Sequence, residues 1–160
     1  MKQYTIILAT LLSLLIPVQS WGEKIQDFDD WMVYDSDTYY REGPCYIVTR
    51  GTHGDLLYRS FEEDGGIQFS IRSIKPFTPN AEFFLLIDNA SRVSIYSHPN
   101  PKTEPEKFSV WTKPKDDKRL DNLLKEGNIT TFNPTESYNS AFSLVGYTEA
   151  VKLMDNKCNK

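Results

Sequence analysis

The sequence predicts a mainly β domain: an antiparallel β-sandwich or open barrel with two short helices. Short apolar or alternating segments recur between turn residues about every 8–12 residues, which is the spacing of strands in sandwiches and barrels. Helical spacing of apolar residues is confined to two short segments of the second half. The 160 residues suffice for one domain, and aromatic residues, which favour strands, make up 13% of them.

The clearest strand is predicted over residues 67–74. Ile67, Phe69 and Ile71 alternate with polar residues and so share one face, and the register changes before Ile74. Residues 82–88 form a nearly continuous apolar run, which predicts a strand covered on both faces. Shorter β-rich segments predict further strands at 31–34, 45–49, 56–61, 93–96, 108–111, 129–132 and 141–145.

The first helix is predicted at about residues 116–126. An acidic pair begins it, as the positive end of a helix dipole favours. Leu120, Leu123 and Leu124 have the i, i+3, i+4 spacing of one helix face, and Gly127 follows as a stop signal.

The second helix is predicted at about residues 148–158. Thr148 is a suitable N-cap. Val151, Met154 and Cys158 fall on one face at i, i+3 and i+7. The last cysteine is therefore expected on the apolar side of this helix, toward the strand that holds Cys45.

Residues 1–20 have the layout of a cleaved secretory signal. Lys2 supplies a basic start, residues 5–18 are free of charge and rich in Ile and Leu, and Ser20 ends a small-residue exit. The alternative is an uncleaved anchor, but an anchor needs about 20 apolar residues. We expect export from the cytoplasm, no transmembrane anchor after cleavage, a loose polar arm at 21–30, and one domain over 21–160.

The two cysteines, Cys45 and Cys158, predict one disulfide, because an even number in an exported chain is typical of bridging. The alternatives are two free, buried thiols or a bond between chains. An internal bridge would close a loop of more than 100 residues and stabilise the fold by roughly 4–5 kcal/mol in the chain-entropy model.

Charge and motifs exclude several functions. A net charge of −4 without a basic patch argues against binding of nucleic acid or anionic lipid. His53 and His98 lie far apart, and the acidic residues between 27 and 37 lack the calcium-loop pattern, so neither a metal nor another cofactor is expected. No Gly-x-Ser-x-Gly motif occurs. We predict that the protein is not an enzyme, although a hydrolase with paired carboxylates remains an alternative.

The aromatic residues suggest binding. Three Trp, nine Tyr and nine Phe are present, and exposed aromatic rings beside polar groups form binding surfaces for sugars or proteins. Tyr39, Tyr40 and Tyr138 have polar, turn-like neighbours and are the candidates for such a surface. Ordinary packing within a sheet is the alternative for these residues.

Several segments together resemble the invasion-associated locus B family of exported bacterial proteins. They are a Trp31-led strand followed by Cys45-Tyr46-Ile47-Val48, the segment after Trp111, and above all the C-terminal SLVGYTEAV…MDNKC run, residues 143–158. The resemblance covers nearly the whole chain after residue 20. Tyr34 stands near a position where family members often have a further cysteine, which implies a reduced disulfide set with Cys45–Cys158 retained.

The resemblance implies a periplasmic or outer-membrane-associated protein with a link to host-cell invasion, and it transfers no catalytic residue. The expected partner is an envelope or host-surface protein, or a glycan. A glycan or small-molecule binding module is the alternative function. The oligomeric state is not predicted.

Overall fold

The structure, a computed structural model, describes residues 24–35, 45–61, 66–135 and 138–158. The expected signal segment 1–20 and two candidate binding residues, Tyr39 and Tyr40, lie outside these ranges.

The described residues form ten strands and three helices. In chain order they are β1 (Lys24–Phe28), β2 (Trp31–Asp35), β3 (Cys45–Arg50), β4 (Leu56–Phe61), β5 (Ile67–Arg72), β6 (Glu82–Ile87), β7 (Ser91–Ser97), α1 (Glu104–Lys107), β8 (Ser109–Trp111), α2 (Pro114–Glu126), β9 (Ile129–Thr135), β10 (Tyr138–Ser143) and α3 (Tyr147–Cys158).

All ten strands belong to one antiparallel sheet in the order β1-β2-β3-β4-β5-β8-β7-β6-β9-β10. The predicted mainly β class is confirmed. The sheet is continuous and does not close, which matches the open-barrel form of the prediction. Strand β10, at one end, nevertheless approaches the first strands of the sheet. The Thr52 N–H, in the turn between β3 and β4, donates to the Ala141 carbonyl of β10 at 3.0 Å. Likewise, Trp31 Nε1 donates to the Ser143 carbonyl at 3.1 Å.

The core lies on one face of this sheet, which we call the inner face. Alternate strand residues point into it, and two helices cover it: α2 packs against β5 and β7, and α3 against β1, β2 and β3. The ring of Tyr147 in α3 meets that of Trp31 edge-on at 4.8 Å. Side chains that are completely buried here include Trp31, Ile47, Leu57, Phe69, Ile71, Leu85, Ile95, Leu120, Phe132, Phe142 and Met154.

Both predicted helices are confirmed, with small changes at their starts. Helix α2 begins at Pro114, whose fixed φ suits a first helical turn. The Gly127 N–H closes it by donating to the Leu123 carbonyl at 3.0 Å. Thr148 is not an N-cap, because α3 already begins at Tyr147. The turn before it depends on Gly146, where φ is +86° and a Cβ would lie 2.0 Å from the Phe28 carbonyl oxygen.

The expected loose arm at 21–30 was wrong over most of its length. Residues Lys24–Phe28 form β1, which pairs with β2 through a tight turn at Asp29 and Asp30. The polar composition reflects an edge strand with one exposed side and not an unstructured segment. Asp29 takes φ +50°, a conformation that Asp tolerates better than most residues.

The Pro-rich loop at 98–106 ends in a short helix that the prediction missed. Thr103 and Glu106 form a capping box: the Glu106 N–H donates to Thr103 Oγ1, and the Thr103 N–H donates to Glu106 Oε2 at 3.0 Å. The Thr-x-x-Glu pattern is a known helix-start signal and was present in the sequence.

The Cys45–Cys158 disulfide stays a prediction. Cys45 is buried at the start of β3, Cys158 ends α3, and α3 packs against β3. We expect peptide mapping of non-reduced protein to link the two cysteine-containing peptides, whereas alkylation of both thiols in the native protein would contradict the pairing.

Candidate binding surface

Six aromatic residues lie on the sheet face opposite α2 and α3, at outward positions of six strands. We call this set the outer aromatic face; its members are Tyr34, Tyr46, Tyr58, Phe84, Tyr96 and Trp111. Strand register aligns several of them, because Ser70 pairs with both Tyr58 and Trp111, and Trp111 pairs with Tyr96. All six are half-buried.

The tyrosine half of this face spans β2, β3 and β4. Tyr34 and Tyr46 stack with ring centroids 5.1 Å apart and planes 8° from parallel. Tyr58 follows at 5.8 Å from Tyr46. The neighbouring outward residue Ser70 is only 1% exposed, although neither α2 nor α3 packs on this face. Tyr34, Tyr46 and Tyr58 form a row of adjacent rings across three strands.

Two cations lie on the rings of the other half, over β6, β7 and β8. Lys113 Nζ is 3.8 Å from the centroid of the Tyr96 ring, and the Arg92 guanidinium carbon is 3.1 Å from that of Phe84. Both are attractive cation–π contacts. Within the described residues, neither cation forms an ion pair, and both are exposed.

Glu82 is the acidic residue of this half. The Tyr96 hydroxyl donates to its carboxylate at 3.1 Å. Hydrogen bonds from Ser94 and Tyr96, assisted by the charges of Lys113 and Arg92, hold the pKa of Glu82 below its usual value. The carboxylate is consequently ionised at neutral pH and offsets part of the positive charge nearby.

The expectation that residues 82–88 are covered on both faces was wrong. Leu85 and Ile87 point into the core, but Phe84 and Leu86 point to the outer face and are only half-buried. The apolar run suggested a second layer of structure over this strand. Instead, the Arg92 guanidinium covers the Phe84 ring.

Tyr138, a predicted binding residue, instead contacts a buried acid. Its hydroxyl donates to both carboxylate oxygens of Asp55, at 2.8 and 2.9 Å, and Asp55 is completely buried. The rings of His53 and Tyr138 are 4.9 Å apart, and Lys75 Nζ is 5.6 Å from the Tyr138 centroid. Burial and the Asp55 carboxylate raise the pKa of Tyr138. We interpret Tyr138 as the residue that fastens the start of β10 to the β3–β4 turn.

Replacing Tyr138 by Phe should lower the free energy of unfolding by about 1–3 kcal/mol. The Asp55 carboxylate would stay buried but would lose the hydrogen bond that the Tyr138 hydroxyl donates to it. Urea unfolding followed by circular dichroism measures this change. Tyr34→Phe is the matched control, since among the described residues the Tyr34 hydroxyl contacts the Met32 sulfur, at 3.6 Å, and no carboxylate. Equal losses in the two variants would contradict this role of Tyr138.

The buried Arg59 belongs to the scaffold. Arg59 Nε donates to Asp121 Oδ1 at 3.0 Å, and the two side chains are 2% and 6% exposed. Asp121 also accepts from the Tyr147 hydroxyl at 2.6 Å and from Lys125 Nζ at 2.5 Å. These bonds join β4, α2 and α3, so we assign them to helix docking.

Sequence reasoning missed Lys113, Arg92, Trp111 and their neighbours as a candidate surface. Alternation in β7 did carry a signal, because Arg92, Ser94 and Tyr96 must share one face of a strand. What it could not show is that β8 lies beside β7, which is what brings Trp111 and Lys113 to the same place.

The described ranges contain no group of three or more His, Cys, Asp or Glu side chains placed to hold a metal ion. None of the helices in those ranges has both the length and the apolar character needed to cross a membrane. Comparison of the chain with protein-family models, with curated proteins and with solved structures gave no match.

Proposed function

We propose that the protein is exported to the cell envelope and acts there by binding, through the outer aromatic face. The observation that carries the proposal is this face itself: six half-buried aromatic residues on the side of the sheet that the helices leave uncovered. Aromatic residues on a rigid sheet lose little conformational entropy on binding and offer a large contact area.

Export rests on the sequence of residues 1–20 and on the resemblance to the invasion-associated locus B family. Fractionation of a bacterium that produces the protein tests it, with an N-terminal sequence beginning near residue 21 expected in the periplasmic or outer-membrane fraction. Full-length protein in the cytoplasm would contradict the proposal. A role in host-cell invasion would be one use of such a binding protein, and it depends on the resemblance alone.

Co-sedimentation with isolated cell envelopes tests binding. We expect the wild-type protein to sediment with envelopes and Trp111→Ala to do so about tenfold less, because one well-packed aromatic residue often contributes more than 1 kcal/mol to an interface. Ile74→Ala is the matched control, since Ile74 is 62% exposed and lies outside the outer aromatic face.

Thermal unfolding of each variant checks that it is folded, and Trp111→Phe provides a variant that keeps a ring. Either of two results would overturn the proposal: no retention of the wild-type protein, or equal retention of wild type and folded Trp111→Ala.

A further inference from the structure

We propose that the β6–β7–β8 part of the outer aromatic face binds a polysaccharide that carries carboxylate groups, with Lys113 and Arg92 as its carboxylate-binding residues. This inference rests on the proposed function and names the ligand class of the same surface. Trp111 lies beside Lys113 and the ring under it. Trp111 pairs with Tyr96 of β7 and stands two residues before Lys113 in the chain.

The charge of this face is opposite to that of the chain. The protein has a net charge of −4, yet Arg92 and Lys113 both lie on this part of the face, over the Phe84 and Tyr96 rings. Their charges act on the Glu82 carboxylate, which lies beside them. A local excess of positive charge on an acidic protein attracts an anionic ligand and orients it toward this face.

The two cations are already positioned for a ligand. Because Lys113 and Arg92 lie over aromatic rings at 3.8 and 3.1 Å, their side chains lose less freedom when an anion binds. A cation that lies over a ring can still donate hydrogen bonds from those N–H groups that point away from the ring. Arginine can present two parallel N–H donors to a carboxylate. Neither donor group would have to break an ion pair within the described residues.

Glu82 affects which charge on a ligand group this site favours. Two cations beside one ionised carboxylate leave an excess of one positive charge, which matches a singly charged carboxylate better than a doubly charged phosphate. Glu82 also stays ionised, because Ser94 and Tyr96 donate to it and lower its pKa.

The aromatic rings favour a sugar as the carrier of that group. Strands of a sheet are about 4.8 Å apart, comparable with the length of one sugar ring, so Trp111 and the cations that lie over the rings of the neighbouring strands can contact successive units of a chain. The Trp111 ring can stack against the C–H face of a sugar while a carboxylate on that sugar or the next reaches Lys113. Tyr58, Tyr46 and Tyr34 continue the same face toward β2, as an extended polymer requires.

The test measures binding of polygalacturonate by isothermal titration calorimetry, with methyl-esterified polygalacturonate and poly-glutamate as comparisons. The ester keeps the sugar chain and removes the charge, whereas poly-glutamate keeps carboxylates and removes the sugar. We expect polygalacturonate to bind at least about tenfold more tightly than either, since both stacking and charge-assisted hydrogen bonds contribute.

The decisive variant is Lys113→Gln with Arg92→Gln, and its matched control is Lys118→Gln with Arg119→Gln, two exposed cations on α2. We expect the first to weaken polygalacturonate binding at least about tenfold and the second to leave it within about twofold. Thermal unfolding confirms that both fold, and Lys113→Arg, which keeps the charge, should retain most of the binding.

Three results would overturn the inference: no binding of polygalacturonate by the wild-type protein, equal binding of the ester, or equal losses in the two double variants. Tighter binding of poly-glutamate would assign the surface to an acidic peptide instead. If Trp111-dependent envelope retention persists while polygalacturonate fails to bind, the proposed function survives and only the ligand class is wrong.

Discussion

Asp121→Asn is expected to lower the free energy of unfolding by about 3–5 kcal/mol, because it leaves the buried Arg59 guanidinium without its main counter-charge. Arg59 is 1% exposed and donates to Asp121 at 3.0 Å. Its other partners are weaker: Asp155 Oδ1 at 3.4 Å and the Met154 sulfur at 3.2 Å. Urea unfolding monitored by circular dichroism measures the loss.

Asp155→Asn is the matched control for this prediction. The Asp155 side chain is 44% exposed, so its removal should cost only about 0–1 kcal/mol. The double replacement Arg59→Met with Asp121→Leu removes both charges together and should cost much less than Asp121→Asn alone. If the Asp121 and Asp155 variants lose equal stability, the buried pair does not hold the helices to the sheet.

The stabilisation that the Asp121 carboxylate gives the fold should depend on pH. Burial opposes ionisation of Asp121, but the charge of Arg59 and the bonds from Lys125 and Tyr147 outweigh it and lower the pKa below the ordinary value of 3.8. The stabilisation is therefore fully present above about pH 4 and is lost as the pH falls through the lowered folded-state pKa. The difference in stability between wild type and Asp121→Asn should shrink below pH 4, and a constant difference would contradict this assignment.

Trp31→Ala is expected to cost about 3–5 kcal/mol, the range for removing a large buried aromatic side chain. Trp31 is completely buried and joins three parts of the fold. It belongs to β2, packs edge-on against Tyr147 of α3, and donates to the carbonyl of Ser143 at the end of β10. Its loss opens a cavity where the two ends of the sheet approach each other.

Trp111→Ala is the control for Trp31, since it removes the same side chain from a half-buried position on the outer face. We expect it to cost about 1–2 kcal/mol of unfolding free energy, because the half-buried Trp111 side chain buries less apolar surface than Trp31 does. Trp31→Phe should fall between wild type and Trp31→Ala, as it keeps most of the packing and loses the bond to Ser143. Similar losses for Trp31→Ala and Trp111→Ala would contradict the different burial of the two residues.

Local patterns identified most of the elements. Unbroken alternation placed β5, although the strand ends at Arg72 and Ile74 is 62% exposed in the following loop. Leucine spacing and Gly127 placed α2 within two residues. The main errors, β1 and α1, fell on polar segments, because an edge strand and a single helical turn bury too little apolar surface to leave a periodic signal.

The candidate site was much harder to predict. Tyr138 was selected for its polar neighbours in the sequence, but it lies against Asp55, 83 residues away in the chain. Trp111 and Tyr96 were assigned only to strands. Nothing local shows which strands are neighbours, and a surface built from six strands depends entirely on that order.

The sequence by itself determined the β-rich class, the helices α2 and α3 and most strand positions, because these follow from the spacing of apolar residues along the chain. Only the tertiary structure decided that β8 lies between β5 and β7, that the helices cover one face, and that aromatic residues and cations meet on the other. The physical reason is range: periodicity acts over a few residues, whereas strand order is set by packing and hydrogen bonds between residues distant in the chain.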